Sequence, residues 1–541
     1  MSTEKPQEVA SQPAAETADD AGTFVGSNSP SGGSKRGSQS EKFLIMFALS
    51  ATIFLLALDQ TIVSTAAPTI TNQFNALQDV GWYGSAYLLT ATALQPMFGR
   101  IYSFFSLKWV FVIALTIFEI GSLICAVAQN SPTLIVGRAI AGIGLAGGYI
   151  GIFIIIAACT PVSKRAIYSS LIAVTYGGGA ICGPILGGVF TSTVTWRWCF
   201  WINLPCGGVI LAMMILSFKP PVRVRKETMK HLLIHMDWIG TTAILASVIC
   251  ILLVLQWGGI TYAWGSSQII GLLVGSALLF TVFVGDQIYL GDGATLVPRV
   301  FKFRSIWTAG AYNFCYGSYF FTITYFVPIY FQAVKDSTAL ISGVQTIPMI
   351  VGVVIFSTLS GIIVTKLGYY TPVMMVAALM AVAGGTLLHE WEVHTGHPAW
   401  IGYQFLAGSG SGLGFNLAFV AAQTVSGKDT DAGTTIVIFL QTLGGTLMTS
   451  IAQSIYQNTL KTQISSIPGG PDALTVIEAG VSGWRTVVPA MFLEAVAEAQ
   501  NTAVTNAFVC AIAAPALAFI MTAGIEWKSI RGGQEVPVGG A

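Results

Sequence analysis

Two residues of opposite charge stand in long apolar stretches of this chain. Asp59 follows the apolar run 43–58, and Arg138 follows Leu134-Ile-Val-Gly. An ionisable group in such a stretch is costly to bury and is therefore a candidate for function. A buried acid beside a cation can exchange a proton, because the cation favours its charged form and burial favours its neutral form. The alternative is a static ion pair that joins two helices.

The composition places these charges in a membrane protein. Of the 541 residues, 54% are hydrophobic and 9% are charged, whereas charged residues make up about a quarter of a soluble domain. A net charge of +1 gives no overall field to attract nucleic acid. The eight cysteines form no CxxC motif or Cys/His cluster, so neither a disulfide framework nor a metal site is expected.

Fourteen apolar segments are long enough to cross a bilayer as helices. The predicted fold class is therefore all-α and integral to the membrane. The segments are 43–66, 81–99, 109–128, 133–158, 168–192, 199–218, 238–256, 268–288, 308–331, 341–363, 371–389, 399–424, 432–455 and 506–525. The polar stretches 1–40 and 527–541 are expected to be tails, the first of them disordered.

Lysine and arginine are concentrated in alternate loops, which predicts the orientation of the helices. One set of loops carries Arg100, Lys108, Lys164, Arg165, Lys219, Arg223, Arg225, Lys226, Lys230, Arg299, Lys302, Arg304, Lys366 and Lys428. The opposite loops carry only Arg197, Lys335, Lys461 and Arg485. The first set is expected to be cytoplasmic, and with an even number of helices both termini are cytoplasmic too.

This orientation brings Asp59 and Arg138 to similar depths. At 1.5 Å per residue, Asp59 lies about 24 Å from the inner face and Arg138 about 9 Å from the outer face. In an apolar core about 30 Å thick, the two side chains could meet. A further intramembrane acid, Glu119, has no identifiable cation and is expected either to line a groove or to carry a proton. Asp286, near the end of the eighth segment, is expected to be interfacial.

Neutral polar side chains at membrane depth could contact a small molecule or merely bond a neighbouring helix. We predict that a substrate cavity is lined by Gln60, Gln95, Tyr176, Asn313, Tyr316, Tyr319, Gln423 and Gln441.

The fifth segment carries a regular series of glycines. Gly179, Gly183 and Gly187 recur every four residues, so they share one helix face and let another helix approach closely. Pro184 removes one backbone hydrogen bond and is expected to bend the helix.

A faint internal repeat predicts the domain organisation. The loops 99–108 and 361–369 both place glycine at a helix end, with a cation a few residues later. If they correspond, helices 1–6 match helices 9–14, an architecture typical of secondary transporters. The expected units are a first half over 41–218, a two-helix insert over 219–305 and a second half over 306–526. The second half includes a long outer loop over 457–505.

Four stretches resemble motifs of the fourteen-helix drug:proton antiporters of the major facilitator superfamily. Leu58-Asp-Gln-Thr-Ile-Val-Ser-Thr-Ala-Ala-Pro68 looks like the helix-1 signature, and Leu134-Ile-Val-Gly-Arg-Ala-Ile-Ala-Gly-Ile-Gly144 resembles the helix-4 motif. Gly179-Ala-Ile-Cys-Gly-Pro-Ile-Leu-Gly-Gly188 resembles the helix-5 motif of exporters. Trp196-Arg-Trp-Cys-Phe-Trp-Ile-Asn-Leu-Pro205 is similar to the entry into helix 6 of fungal toxin-efflux members. The resemblance spans about residues 43–525.

The resemblance implies roles for individual residues. Asp59 and Arg138 would take part in proton coupling. The helix packing that favours export would depend on Gly179, Gly183, Pro184, Gly187 and Gly188. A cytoplasmic latch would involve Gly99, Arg100 and Lys108. The family's loop usually has an aspartate near Ser103, so Arg100 and Lys108 are here expected to bond helix ends instead of forming a charged lock.

Together these features predict a major-facilitator-type fold of two six-helix halves and two inserted helices. The expected function is proton-coupled export of apolar or amphipathic small molecules, such as a fungal toxin, secondary metabolite or drug. The plasma membrane is the expected location, with a vacuolar or vesicle membrane as the alternative. No GxxxxGK[ST] sequence occurs, so neither ATP nor another cofactor is expected. A proton-coupled importer of a small organic solute or iron chelate is the rival interpretation, and a membrane-embedded enzyme is disfavoured because no nucleophile–base pair appears.

Overall fold

The structure, a computed structural model, describes residues 39–74, 76, 79–219 and 237–530. The expected tails therefore lie almost wholly outside the described residues. So does most of the basic loop after the sixth segment, which carries Arg223, Arg225, Lys226 and Lys230. Within the described part, the chain is built of α-helices and short 3-10 turns, with two isolated β-bridges.

The helices are numbered here in chain order. They are α1 (Gln39–Phe74), α2 (Val80–Phe104), α3 (Leu107–Val127), α4 (Ser131–Cys159), α5 (Val162–Thr193), α6 (Trp198–Trp201), α7 (Asn203–Ser217), α8 (Trp238–Trp257), α9 (Ser267–Leu290), α10 (Arg304–Ala333), α11 (Ala339–Gln345), α12 (Ile347–Leu367), α13 (Thr371–His389), α14 (His397–Gly414), α15 (Leu417–Val425), α16 (Thr430–Ser465), α17 (Ala473–Glu478), α18 (Gly480–Val487) and α19 (Leu493–Thr522).

In the described part of the chain, twelve helical segments are long and apolar enough to cross a membrane. The remaining two long helices, α2 and α10, have 25 and 30 residues and contain several tyrosines each. The helix α9 exposes large apolar side chains such as Leu278, Ile288 and Tyr289. The all-α membrane fold is thus confirmed.

Three predicted segments are divided in the structure. Segment 199–218 comprises α6 and α7, which separate at Ile202. Segment 341–363 comprises the end of α11 and most of α12, which separate at Thr346. Segment 399–424 comprises α14 and α15, which separate at Phe415 and Asn416. Apolar composition alone does not reveal such breaks, because the parts on either side remain hydrophobic.

The stretch 457–505, expected to be an outer loop, is largely helical in the structure. Helix α16 continues to Ser465 and α19 begins at Leu493, and α17 and α18 lie between them. The extensions contain polar residues such as Asn458 and Lys461, which bond the carbonyls of Gly258 and Gly259. Hydropathy underestimates helices that continue beyond the apolar core.

Helix packing repeats between two groups of helices. Helix α1 packs on α5 and α7, as α10 packs on α16 and α19. Helix α4 packs on α2 and α3, as α14 packs on α12 and α13. The pair α8 and α9 pack on each other, and α8 also contacts α2 and α16. We call α1–α7 the first group and α10–α19 the second group.

The two groups meet along two seams, α5 against α12 and α2 against α16. One end of the bundle carries Arg100, Lys108, Arg165 and Lys366, and we call it the basic end. The seam is closed there. Arg165 Nη1 donates to the Gln423 carbonyl over 3.3 Å, and Asn416 Nδ2 donates to the Ser169 carbonyl over 2.9 Å.

Candidate functional site

The two intramembrane charges meet inside the first group of helices. Asp59 Oδ2 of α1 and Arg138 Nη1 of α4 are 2.6 Å apart, and their side chains are 0% and 1% exposed. The meeting predicted from their depths is therefore observed. Removal of either partner would leave an uncompensated buried charge, which typically costs about 3–5 kcal/mol.

A third polar side chain completes this pair. Asn203, at the start of α7, donates through Nδ2 to Asp59 Oδ1 over 2.8 Å and to Ser122 Oγ over 3.1 Å. Asn203 was not among the predicted site residues. The available signal was its place in the stretch 196–205, as the one amide between aromatic and apolar residues.

The arginine is fixed from its other side by α2. Arg138 Nε donates to the Tyr83 carbonyl over 2.9 Å, and the guanidinium carbon lies 4.1 Å from the centre of the Tyr87 ring. Such a cation–π contact favours the charged guanidinium in a dry site. Asp59 thus has a fixed cation on one oxygen and an amide donor on the other. Both oxygens of the buried carboxylate are therefore bonded, each by a side chain of a different helix.

A second set of polar and aromatic side chains lies where the two groups face each other. Tyr176 Oη donates to Gln60 Oε1 over 3.0 Å. Tyr149 Oη, from the first group, donates to Gln441 Oε1 of the second group over 3.1 Å. Asn313 accepts from Gln441 over 3.4 Å.

Aromatic rings surround these polar groups. The ring centre of Phe320 is 5.9 Å from that of Tyr176 and 4.5 Å from that of Phe415. The seam is therefore mostly apolar, with a few fixed polar contacts, which is the usual character of a site for small organic molecules.

Two predicted cavity residues have unused hydrogen-bonding atoms. Gln95 Oε1 and both side-chain polar atoms of Gln423 are buried and have no partner among the described residues. A buried amide without partners is unfavourable, so these groups are available to a ligand or to water when the seam opens.

Tyr316 and Tyr319 do not join this set. Tyr316 Oη donates to the Gly410 carbonyl, and Tyr319 Oη donates to the Ala407 carbonyl over 2.8 Å. Both side chains are fully buried. They are used in packing α10 on α14 within the second group, because a phenol inside a helix bundle bonds the nearest free acceptor.

The glycine face of α5 packs against α1. A Cβ atom at Gly179 would overlap the Phe54 carbonyl, and one at Gly183 or Gly187 would overlap the hydroxyl of Thr61 or Thr65. The predicted close approach of a neighbouring helix is observed, and that neighbour is the helix that carries Asp59. Helix α5 continues through Pro184 as one helix.

The opposite face of α5 contacts the second group. A Cβ atom at Gly188 would lie 3.8 Å from Leu340, and a Cβ atom at Gly343 would lie 3.4 Å from Pro184. Both neighbours belong to α11. The motif therefore serves two interfaces, one inside the first group and one across the seam.

The basic-end loop bonds helix ends. Lys108 Nζ donates to the Ile215 carbonyl at the end of α7 over 2.5 Å. Arg100 Nη1 donates to the carbonyls of Asp292 and Ala294, over 3.3 and 2.5 Å. A Cβ atom at Gly99 would overlap Thr435 of α16. The expected bonding of helix ends by Arg100 and Lys108 is observed.

The chain was compared with known families and proteins. A sequence model described as the Major Facilitator Superfamily matches residues 49–449. The chain is 44% identical over 492 residues to the MFS-type efflux pump MFS1 of Arthroderma benhamiae, covering 90% of this chain and 92% of that protein. It is 41% identical to the efflux pump roqT of Penicillium rubens, covering 90% and 91% of the two chains. It is 40% identical to the rubrofusarin-specific efflux pump aurT of Gibberella zeae, covering 90% of each.

Solved structures share the fold at low sequence identity. The human organic anion transporter MFSD10 (TETRAN) aligns with a TM-score of 0.55 at 12% identity, covering 90% of this chain and 98% of that one. A bacterial homolog of the human lysosomal transporter Spinster, in its inward-facing and occupied conformation, aligns with a TM-score of 0.57 at 14% identity and the same coverage.

Proposed function

The chain belongs to the major facilitator superfamily, and we propose that it is a proton-coupled efflux pump for amphipathic or apolar small molecules. The observation that carries proton coupling is the buried contact of Asp59 with Arg138 and Asn203. The 40–44% identity to fungal efflux pumps over 90% of the chain supports outward transport. A fungal toxin, a secondary metabolite or a drug is the proposed substrate.

The proposed architecture has fourteen membrane helices in two six-helix halves. The halves are residues 41–218 and 306–526, and α8 and α9 are an insert within 219–305. The repeated packing of the two helix groups supports this division. In this proposal both termini and the basic end lie in the cytoplasm. The protein itself lies in the plasma membrane, with a vacuolar or vesicle membrane as the alternative.

The proposed transport cycle alternates the protonation of Asp59. Arg138 and Asn203 hold the carboxylate when Asp59 is charged. A proton entering from the outer side converts Asp59 to the neutral acid, weakens the ion pair and accompanies release of the substrate. Loss of that proton to the cytoplasm restores the pair and resets the pump. Rocking of the two halves exposes the site to each side in turn.

The proposed substrate site lies along the seam. Gln60, Gln95, Asn313, Gln423 and Gln441 would supply a few polar contacts among the aromatic rings of Tyr176 and its neighbours. A mostly apolar site with movable amides accepts molecules of varied shape. Tyr316 and Tyr319 contribute less to this site, because their hydroxyls already donate to carbonyls of α14.

The test is retention of fluorescent lipophilic toxins and dyes by yeast cells with and without the protein. We expect lower retention in expressing cells, and the difference should vanish with a protonophore. Higher retention in expressing cells would identify an importer instead. Lower retention that survives the protonophore would exclude proton coupling.

A pair of variants localises the coupling. Asp59→Asn should abolish protonophore-sensitive efflux, because the amide cannot carry a proton. Asp336→Asn is the matched control. Asp336 is an exposed outer acid paired with Arg485, so its loss should leave efflux unchanged. Full efflux by Asp59→Asn would refute the proposed role of this carboxylate.

A further inference from the structure

A second carboxyl group lies next to the Asp59 network and takes no part in the proposed cycle. Both oxygens of Glu119, on α3, are buried and have no hydrogen-bond partner among the described residues. A carboxylate in such a site would be strongly disfavoured, whereas burial of the neutral acid costs much less free energy. Glu119 is therefore placed in an environment that favours its protonated form.

Glu119 lies at the interface between α3 and α7. One turn along α3, Ser122 accepts a hydrogen bond from Asn203. One turn along α7 from Asn203, Gly207 lies directly against the Glu119 carboxyl, and a Cβ atom there would overlap Glu119 Oε1. The two contacts are thus consecutive steps of one antiparallel helix interface, separated by about 6 Å at 1.5 Å per residue.

The absence of a side chain at Gly207 makes room for the acid. A Cβ atom at Gly208, the next residue, would have no neighbouring atom within 4 Å, so the space at Gly207 is not a general feature of the helix surface. Of these two glycines, Gly207 faces α3 and accommodates Glu119.

The two acids have opposite environments. Asp59 has an arginine on one oxygen and an amide donor on the other, which favours the carboxylate. Glu119 has no donor among the described residues, which favours the acid. Two neighbouring carboxyl groups whose surroundings favour different protonation states are arranged to pass a proton between them.

The other ionisable groups on the packed helices leave this pairing intact. Those that interact with Asp59 or Glu119 are Arg138 on α4, Tyr87 on α2, Cys125 on α3, Cys199 on α6 and Cys206 on α7. Arg138 already bonds Asp59, and neither the phenol nor the thiols are charged at neutral pH. Asp59 is therefore the acceptor available to the proton of Glu119.

We propose that Glu119 is a second proton-binding site of the pump and exchanges its proton with Asp59. Glu119 has no hydrogen-bond partner among the described residues, so the exchange runs through a water molecule admitted between α1, α3 and α7: the Glu119 acid gives its proton to the water, and the water gives a proton to the Asp59 carboxylate. Glu119 becomes a carboxylate, Asp59 becomes a neutral acid, and no other group changes protonation. Asn203 bonds both Asp59 and Ser122, which is one turn from Glu119, so it holds the two acids close to each other.

This inference rests on the proposed proton-coupled export, and its test separates the two. Purified protein in liposomes is given a dye that the unmodified pump exports. Three quantities are measured: accumulation driven by a proton gradient, dye-for-dye exchange without a gradient, and protons moved per dye. A wild-type protein that ignores the gradient would refute the proposed function itself.

The decisive variant is Glu119→Gln, which keeps the shape and removes the exchangeable proton. We expect loss of gradient-driven accumulation and fewer protons moved per dye, while dye-for-dye exchange persists. Glu119→Asp should recover part of the driven accumulation, because a carboxyl group is restored. Gly207→Ala, which displaces the carboxyl, should shift the pH profile of driven accumulation.

Two results would overturn the proposal. Unchanged driven accumulation and proton count in Glu119→Gln would show that Glu119 carries no proton. Loss of exchange together with driven accumulation would show a packing role, and Glu119→Asp would then fail to recover either activity.

Discussion

Asn203 donates a hydrogen bond of 2.8 Å to Asp59 Oδ1, the oxygen that Arg138 leaves unbound. The carboxylate is therefore held from two sides by two different helices, α4 and α7. The position of this carboxylate therefore depends on both helices remaining in place.

Replacement of Asn203 should weaken proton-driven efflux. In Asn203→Leu, Asp59 Oδ1 loses its donor, and only Arg138 still holds the carboxylate. A hydrogen bond to a charged group contributes about 1.5–3 kcal/mol, so efflux should fall by about tenfold. Efflux of a fluorescent dye under a fixed proton gradient measures this loss.

Ser122→Ala is the control for that measurement. It removes the second acceptor of the same amide but leaves the bond from Asn203 to Asp59, so its loss of efflux should be smaller. Efflux by Asn203→Leu equal to that of wild type would show that the amide has no role at Asp59.

An added methyl group on the glycine face of α5 should separate α5 from α1. In Gly183→Ala the new Cβ would overlap Thr61, and overpacking of this kind costs about 1–3 kcal/mol. We expect a lower unfolding temperature in detergent and reduced efflux. Gly178→Ala is the matched control, since the nearest atom to its Cβ, in Phe54, is 4.0 Å away. Equal unfolding temperatures for the two variants would contradict the packing argument.

Weakening the closed end of the seam should favour opening toward the cytoplasm. Asn416→Leu removes the bond to the Ser169 carbonyl across the seam. Hydrogen–deuterium exchange of α15 should therefore increase, because its backbone is exposed more often. Thr424→Val is the control, since the Thr424 hydroxyl bonds the Val420 carbonyl of its own helix. Unchanged exchange in Asn416→Leu would mean that this bond does not hold the seam.

The segment between α16 and α19 should resist external protease as long as Trp484 is in place. Trp484 is fully buried and donates through Nε1 to the Ala333 carbonyl over 3.1 Å. Trp484→Ala would cost about 3–5 kcal/mol of local packing and should make residues 466–492 cleavable by protease added outside the cells. Leu474→Ala, at an exposed position, should leave the segment resistant. Resistance of both variants would show that Trp484 does not anchor it.

The sequence was informative where a property depends on one segment alone. The depths of Asp59 and Arg138 follow from counting residues in single helices, and the glycine face of α5 follows from a spacing of four. Both were therefore predictable. That α1 is the helix against the glycine face was not, because helix adjacency is a property of the whole bundle.

The same distinction explains the residues that were missed or displaced. Asn203 is one amide in an apolar segment, and only the fold shows that it faces Asp59. Tyr316 and Tyr319 have the amphipathic character of cavity residues, but the carbonyls of α14 lie closer than the seam. The helices α17 and α18 have only six and eight residues, so hydropathy could not separate them from a loop.

The backbone contact of α5 with α1 has a mechanical consequence. Helix α5 puts no side chain of its own between its glycine face and α1, so we expect α1 and α5 to move together as a single stiff lever. One arm of that lever bears Asp59, and the other bears Pro184 and Gly188 against α11. A change of charge at the first arm therefore has a direct route to the boundary between the halves, with no chain of side chains needed to transmit it.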